Sequence, residues 1–197
     1  MVHSAHFQSC VELKESLTQV GLKHDWLIMW NESLIPRARN NLAKQFLETD
    51  YQALFFLDSD ISFDPEDVAK VWNLQERAKV TVGVYRMKKE ESEYAAWSGG
   101  ELITDLSDKP NPLEVDFAGT GFMCIDRSAF VEFQEAYPDR VYDDALGETW
   151  DYFKSGVNEG WYRPEDYAFC EDYRKIGGTI LMDTSVKLKH HGTKEYG

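Results

Sequence analysis

The stretch Ala53–Asp60, ALFFLDSD, decides the fold, because five apolar residues run together and then stop at two aspartates. A continuous apolar run of this length predicts a strand buried on both faces of a parallel sheet. Side chains two residues apart on a strand point the same way, so Asp58 and Asp60 would face one point. Open α/β sheets bind ligands beyond the carboxyl ends of their strands. Two carboxylates at such an end suit Mg²⁺ or Mn²⁺ held together with substrate phosphates.

The same residues have a simpler interpretation, which is a turn at the end of a strand. Aspartate and serine both favour turns, and an Asp-x-Asp pattern is short and common. From the spacing alone the two interpretations stay open.

Composition limits the class of protein. The chain has 197 residues, of which 43% are hydrophobic, so we expect one folded domain with a sizeable core. Its formal net charge of −14 argues against a partner held by nucleic-acid phosphates and against docking on an anionic membrane. Clustered acids are better suited to a divalent cation.

The cysteines and the terminus indicate the compartment. Cys10, Cys124 and Cys170 are far apart and odd in number, which predicts buried reduced thiols rather than disulfides or a metal pair. No run approaches the ~20 apolar residues of a membrane span, and the first ten residues lack a signal-peptide pattern. We therefore expect a cytoplasmic protein, in the host cytoplasm if it is viral.

Helices and strands alternate through the first half of the chain. Apolar spacing predicts helices at about 4–20, 34–47 and 65–77, and apolar runs predict strands at Trp26–Trp30, Ala53–Asp60 and Val80–Tyr85. Strands separated by helices indicate βαβ crossovers and a parallel core. The helix start near Arg39 and Asn40 follows a strand end, where free backbone N–H groups suit an anion. A solvated helix face is the alternative interpretation there.

Strand signals in the second half are shorter. They lie at Tyr94–Trp97 and Glu101–Thr104 as a hairpin, and at Val115–Ala118, Phe122–Ile125, Thr179–Met182 and Val186–His190. Helices are predicted at Ser128–Tyr137 and Pro164–Ile176, and loops at Arg86–Glu93 and Tyr142–Gly160. The whole predicts a three-layer α/β domain with a mixed, mostly parallel central sheet.

Several motifs in this order resemble a known family. They are NESLIPRARN, LFFLDSDISFDPEDV, GVYRMKK, GTGFMCIDR, EDYAFC and HHG, which together span about residues 5–192. The pattern is similar to that of the GT-A glycosyltransferases, and most to small virus-type or bacterial members. The resemblance implies a Rossmann-like domain over residues 1–197, with a nucleotide and metal half at about 1–100 and an acceptor half at about 101–197.

One feature departs from this family. Its members begin with a strand that precedes the first helix and helps to hold the nucleotide base, whereas this chain starts almost directly in that helix. Either the strand lies upstream of the numbered residues or it is absent, and in the second case the base pocket is incomplete.

The resemblance implies a metal and a donor. Asp60 would bind Mn²⁺ or Mg²⁺, Asp58 would reach the metal or the ribose, and a late histidine, His190 with His191 as second choice, would complete the metal site. The donor would be a nucleotide sugar, most simply a UDP-sugar. Its contacts would come from a set of residues on three segments: Arg39, Asn40, Asp58, Ser59, Asp60, Gly119, Thr120 and Gly121. For the three loop residues, a plain turn between strands is the alternative.

The resemblance also implies an acceptor side. Asp166, with Glu165 second, would remove the proton from a hydroxyl of a glycan or glycoprotein acceptor in an inverting reaction. A retaining reaction would not need that base. Acids at a helix start also stabilise the helix dipole, which is the simpler interpretation of this pair. Trp97, Trp161 and Tyr162 could stack on sugar faces.

Two other functions compete with hexosyl or deoxyhexosyl transfer. A sugar nucleotidyltransferase on a related fold would need a Gly-rich loop bearing Arg or Lys after its first strand, and this chain shows none. A non-catalytic module that binds nucleotide or glycan would bind without turnover and would tolerate Asp166→Asn.

Overall fold

The computed structural model describes residues 2–89, 93–158, 160–192 and 195–196. The α-helices are α1 (Ser4–Gln19), α2 (Ile35–Leu47), α3 (Pro65–Asn73), α4 (Arg127–Ala136) and α5 (Glu165–Lys175). The strands are β1 (Ala53–Leu57), β2 (Ile61–Ser62), β3 (Val80–Gly83), β4 (Ala96–Ser98), β5 (Glu101–Leu102), β6 (Leu113–Glu114), β7 (Phe117–Ala118), β8 (Phe122–Asp126), β9 (Val141–Asp144), β10 (Gly147–Trp150), β11 (Gly156–Asn158), β12 (Trp161–Arg163), β13 (Ile180–Asp183), β14 (Lys189–His191) and β15 (Glu195–Tyr196).

The central sheet is mixed, with strand order β1-β8-β3-β13-β6. Among the described strands of this sheet, β3 and β13 are the one parallel pair, while β8 pairs antiparallel with both β1 and β3, and β6 antiparallel with β13. The prediction of a mostly parallel sheet is therefore wrong. The reason is that β8 returns from the second half of the chain and inserts between β1 and β3, which the βαβ interpretation had placed side by side.

Smaller sheets surround this core. β14 lies between β15 and β2, and β4 lies between β5 and β7. The pairs β9–β10 and β11–β12 form separate two-stranded ribbons. The sheet of β15, β14 and β2 matters most for the site. Strand β2 directly follows the Asp-Ser-Asp turn, and its pairing with β14 places β14 next to that turn.

Most predicted elements are confirmed, including the helices and the hairpin of β4 and β5. The strand predicted at Trp26–Trp30 is wrong: these residues are irregular, and Ile28 and Trp30 are 61% and 72% exposed. An apolar run becomes a strand only beside a neighbouring strand, and none pairs with it in the described part of the chain. The loop predicted at Tyr142–Gly160 is also wrong, since it holds β9, β10 and β11.

The core lies around β8 and β3. The first four residues of β8, Phe122–Ile125, are fully buried, as are Val80 and Val82 of β3. Aromatic rings from α4, α5 and the turn after β10 pack together beside the sheet: Phe130, Phe133, Tyr152, Phe153 and Phe169. This packing fixes α5 against the sheet and so fixes where its first turn lies.

Helix α1 holds the segment after β1 in place. The His3 N–H donates to the Ser59 carbonyl oxygen (2.9 Å), and the Phe63 N–H donates to Ser9 Oγ (3.0 Å). The His6 ring Nδ1 lies 2.8 Å from the Ile61 carbonyl oxygen. The turn that carries the two aspartates is therefore braced from α1 as well as from β1.

Two expectations about location can be compared with the fold. The three cysteines are free; Cys124 and Cys170 are buried, as predicted, whereas Cys10 is only partly buried. Among the described residues, every helix is too short or too polar to cross a membrane.

Candidate active site

The carboxylates of Asp58 and Asp60 lie just beyond the last residue of β1. The Asp58 N–H donates to the Gly121 carbonyl oxygen (2.9 Å), which extends the pairing of β1 with β8 by one residue. The Ile61 N–H donates to the Asp58 carbonyl oxygen (3.0 Å) and closes a tight turn around Ser59. The two carboxylates are 38% and 36% exposed, so both are open to a ligand.

Arg39 on α2 joins Asp58 to the start of α5. Its Nη2 donates to the Asp58 carboxylate oxygens at 3.2 and 3.4 Å, and its Nε lies 3.6 Å from Glu165 Oε1. This Nε is buried and has no hydrogen-bond partner among the described residues. Burial lowers the pKa of Arg39, but Asp58 and Glu165 more than offset this and raise it above its ordinary value. The result is a fixed cation with an N–H donor left over.

Asp166 lies beside Glu165 in the first turn of α5. Burial first, and then the negative charge of Glu165, raises the pKa of Asp166 from 3.8 to about 6. Its Oδ1 accepts a hydrogen bond from the Tyr167 N–H at 2.8 Å. A carboxyl group with this pKa is ionised at neutral pH and can still take up a proton, as a general base must.

His190 turns its ring Nε2 towards Asp60. Its Nδ1 lies 3.0 Å from the Arg86 carbonyl oxygen, and because that oxygen can only accept, Nδ1 carries the hydrogen. In the neutral ring Nε2 is then an acceptor, and it faces Asp60 Oδ1 at 3.6 Å. Two acceptors that face each other repel unless a proton or a cation lies between them. The pair therefore favours a positive charge between its two atoms.

The structure brings His190, and not His191, to Asp60. Strand β14 pairs antiparallel with β2, and the His191 N–H donates to the Asp60 carbonyl oxygen at 2.7 Å. Neighbouring strand residues point to opposite faces, so only one histidine can face the carboxylate. The His191 ring instead lies 2.8 Å from Ser62 Oγ through Nε2 and stacks on His3, with ring centroids 4.0 Å apart.

Lys88, in the loop after β3, is the second partner of Asp60. Its Nζ contacts Asp60 Oδ2, and the two side chains are 35% and 36% exposed. The proximity of His190 first, and then that of the Lys88 ammonium group, lowers the pKa of Asp60 well below its usual value. Asp60 is therefore ionised and already lies beside one positive charge.

Tyr85 fills the space behind the glycine loop. Its hydroxyl accepts a hydrogen bond from the Gly121 N–H at 3.2 Å. A β-carbon would lie 2.2 Å from this oxygen at Gly119 and 2.8 Å from it at Gly121, where it would also come within 2.9 Å of Asp58 Oδ2. Both positions thus need glycine for close packing. Thr120, between them, has a buried Oγ1 without a hydrogen-bond partner among the described residues.

Two predicted nucleotide contacts have other partners in the structure. Asn40 is buried, and its Nδ2 donates to Asp151 Oδ1 (2.9 Å) while its Oδ1 accepts from the Phe153 N–H (3.1 Å). These bonds tie α2 to the segment after β10. Ser59 is exposed in the turn, and its carbonyl oxygen accepts from the His3 N–H. Contact of either residue with a nucleotide stays a prediction.

The three aromatic residues proposed for sugar stacking differ in setting. Trp97 packs edge-to-face against Tyr167, with ring centroids 4.6 Å apart. Trp161 and Tyr162 are 80% and 67% exposed on β12, which directly precedes α5. The last two therefore present more free ring surface than Trp97, which is partly buried.

The donor atoms around Asp60 suit a cation that brings further ligands with it. Among the described residues, no group of three or more histidine, cysteine or acidic side chains could hold a metal ion unaided. Asp58 uses its carboxylate on Arg39. Asp60 and His190 still offer an oxygen and a ring nitrogen, which Mn²⁺ accepts, and a diphosphate would add oxygens. The residues therefore fit a metal–diphosphate complex better than a bare ion.

The chain is similar to known proteins in its fold and not in its sequence. No protein-family model matches the chain, and no curated protein matches it. It is similar to the crystal structure of the viral protein A197 from STIV, with a TM-score of 0.57 and 22% identity over 92% of this chain and 78% of that chain. At this identity the likeness shows a shared fold, of mixed α/β type, and no more.

A second solved structure aligns more weakly. It is the nucleoside-diphosphate-sugar pyrophosphorylase from Vibrio cholerae RC9, with a TM-score of 0.42 and 13% identity over 90% of this chain and 68% of that chain. This alignment is too distant to carry an argument about function.

The sequence interpretation missed Tyr85 and Lys88. Both belong to the GVYRMKK stretch. A tyrosine at the end of an apolar strand is typical of a core, and a lysine in a charged loop is typical of a solvated surface. Tyr85 and Lys88 can be recognised as site residues only because the end of β3 lies next to the two aspartates.

Proposed function

We propose that the chain is a metal-dependent glycosyltransferase of the GT-A type, which transfers a sugar from a UDP-sugar to a hydroxyl group of a glycan or glycoprotein acceptor. The observation that carries this proposal lies at the carboxyl end of β1. There the Asp60–His190 pair favours a cation, and the same turn carries Asp58, whose partner Arg39 reaches the first turn of α5 beside Asp166.

On the donor side, Asp60 and His190 would hold Mn²⁺ or Mg²⁺, and Asp58 would add a ligand or contact the ribose. The chemistry that a bound metal would supply is that of a Lewis acid, which neutralises charge on the departing UDP. Arg39 supports this assignment because its guanidinium group is a fixed cation beside the partly exposed carboxylate of Asp58, where it would attract an anionic group of the nucleotide. The main chain at Gly119–Gly121 would border the donor sugar.

On the acceptor side, Asp166 would act as the general base. It takes the proton of the acceptor hydroxyl while that oxygen bonds to C1 of the sugar, and the bond from C1 to the diphosphate oxygen breaks. The products are the glycoside, UDP and protonated Asp166, which then releases its proton to water. This scheme inverts C1; in a retaining reaction Asp166 would lose this role. Glu165 is the second choice because it contacts Arg39.

Donor hydrolysis tests the proposal without a known acceptor. UDP- and GDP-sugars would be incubated with the protein and Mn²⁺, and release of free sugar and nucleoside diphosphate would be measured. We expect slow hydrolysis of one UDP-sugar, which EDTA and Asp60→Asn abolish. The matched control is Asp50→Asn, since Asp50 is exposed and pairs with Lys23.

The competing functions give other products. Release of pyrophosphate from a nucleoside triphosphate and a sugar phosphate would instead indicate a nucleotidyltransferase. Sugar binding without turnover, unchanged in Asp166→Asn, would indicate a binding module. Either result would overturn the proposal.

A further inference from the structure

Lys88 contacts the carboxylate that the proposed metal needs. Its Nζ contacts Asp60 Oδ2, while His190 Nε2 faces Oδ1 of the same group at 3.6 Å. Asp60 thus has one carboxylate oxygen beside a lysine and the other facing a ring nitrogen of His190. A cation that binds between Asp60 and His190 would lie close to the ammonium group.

These two positive charges compete for one carboxylate. Like charges a few ångströms apart repel by an amount that grows as water is excluded from the site. The lysine ammonium is a point charge on a flexible four-carbon stem, so it can move while its backbone stays in place. The nearest new anion would be the diphosphate that the metal binds.

The backbone around Lys88 is held close to the site. Arg86 and Tyr94 form an antiparallel bridge, and the Met87 N–H donates to the Glu93 carbonyl oxygen at 2.8 Å. The Arg86 carbonyl oxygen also accepts from His190 Nδ1. Because the base of the loop is tied to the histidine, Lys88 can change partner without leaving the region of Asp60.

We propose that Lys88 exchanges partners in the catalytic cycle: it pairs with Asp60 when no metal is bound, and it moves to the donor diphosphate when the metal binds Asp60. This inference rests on the proposed function. It makes Lys88 a diphosphate-binding residue as well as a competitor of the metal. Metal alone must displace a cation, whereas metal and UDP together give that cation a new anion, so the two ligands bind cooperatively.

The test uses Lys88→Met and the neighbouring Lys89→Met as the control, since Lys89 pairs with Glu93 instead (2.7 Å). Mn²⁺ alone would be titrated into each protein by electron paramagnetic resonance, and UDP would be titrated by calorimetry at saturating Mn²⁺. We expect Lys88→Met to bind Mn²⁺ alone about fivefold tighter and UDP about tenfold weaker than wild type, from the loss of one charge-assisted contact in each state. Uridine, which lacks phosphate, should bind all variants equally.

The outcomes separate this inference from the proposed function. Equal Mn²⁺ and UDP affinities in wild type and Lys88→Met would overturn the exchange while the metal site stands. A change in only one of the two affinities would also overturn it, because an exchange must alter both. Absence of Mn²⁺ and UDP binding in wild type, with Lys88→Met and Lys89→Met alike, would overturn both proposals. The same changes in affinity in Lys89→Met would mean that the total charge of the loop causes the effect. That result would overturn the specific role of Lys88.

Discussion

The two ends of β1 each hold an arginine, and the structure uses them in opposite ways. At the amino end, Arg127 donates to four main-chain carbonyl oxygens at distances between 2.8 and 3.1 Å: those of Phe46, Leu47, Thr49 and Tyr51. At the carboxyl end, Arg39 donates only to Asp58, at 3.2 and 3.4 Å, and its buried Nε has no hydrogen-bond partner among the described residues.

Both guanidinium groups lie over a phenylalanine ring, at 4.6 Å for Arg127 on Phe46 and 5.6 Å for Arg39 on Phe56. The difference between them is therefore in the polar contacts. Arg127 donates its hydrogen bonds to main-chain groups at and just after the end of α2, which stabilises the fold. The Nε of Arg39 is buried without a hydrogen bond among the described residues, which lowers the free energy of unfolding. Its partner Asp58 is partly exposed, so this end of β1 is open to a ligand.

The largest effect should come from the carboxyl end of β1. Asp60→Asn removes the charge that faces His190, so we expect donor hydrolysis to fall about a thousandfold, the scale of a lost metal ligand. Thermal unfolding should change little, because the side chain is about one-third exposed. Measured kcat/KM for the UDP-sugar gives the answer. If Asp60→Asn and the Asp50→Asn control were equally active, the turn would have no role in catalysis.

The amino end should show the converse behaviour. Arg127→Met leaves several main-chain carbonyl oxygens without a donor, and we expect the free energy of unfolding to fall by about 3 kcal/mol. Urea denaturation followed by circular dichroism would measure it. The folded fraction should bind UDP with unchanged affinity. A loss of UDP affinity at unchanged stability would reverse the roles assigned to the two arginines.

A smaller effect is expected at Arg39. Arg39→Met removes one cation from the nucleotide side, and UDP affinity at saturating Mn²⁺ should fall about tenfold, as for one charge-assisted hydrogen bond. Its cost in unfolding free energy should be below that of Arg127→Met. Calorimetry and urea denaturation of the two variants side by side test this. Equal loss of stability in both would mean that Arg39 is structural.

The smallest effect concerns pH. Burial raises the pKa of Asp166 from 3.8 to about 6, so kcat/KM should rise with pH through about 6 and then level off. The folded state disfavours the ionised form of Asp166. The contribution of Asp166 to the free energy of unfolding is therefore fully present below about pH 4, and it is lost as pH rises through about 6.

Asp166→Asn removes that pH-dependent loss. It should therefore stabilise the protein by about 1 kcal/mol at pH 8, since Asp166 is only partly buried, and by almost nothing at pH 3.5. Urea denaturation at the two pH values measures the difference. The variant should also lose the rise in kcat/KM. A stabilisation that is the same at both pH values would contradict the raised pKa.

Local signals in the sequence predicted much of this arrangement. The apolar run with Asp58 and Asp60 at its end, the helix start near Arg39 and the acidic start of α5 are each short stretches with their own pattern. In these cases the residues that decide the structure are close in the chain. The preference for His190 over His191 instead came from the family resemblance, and the pairing of β14 with the distant strand β2 accounts for it.

The errors arose where distant segments decide the structure. No pattern within Phe122–Ile125 indicates that this strand inserts between β1 and β3. The sequence therefore does not predict the antiparallel pairing of the sheet. Trp26–Trp30 has a strand's composition but lacks a paired neighbour among the described residues. The ribbon of β9 and β10 is rich in acids, a composition that predicts a loop. Lys88 is recognisable only once Asp60 is seen beside it.

The most direct test of the account is calorimetry of UDP binding with Mn²⁺ and with EDTA, in wild type and in Asp60→Asn. We expect UDP binding to wild type that requires Mn²⁺ and that disappears in the variant. UDP binding that is equally tight in EDTA, or that is unchanged by Asp60→Asn, would contradict a metal-held diphosphate at the end of β1.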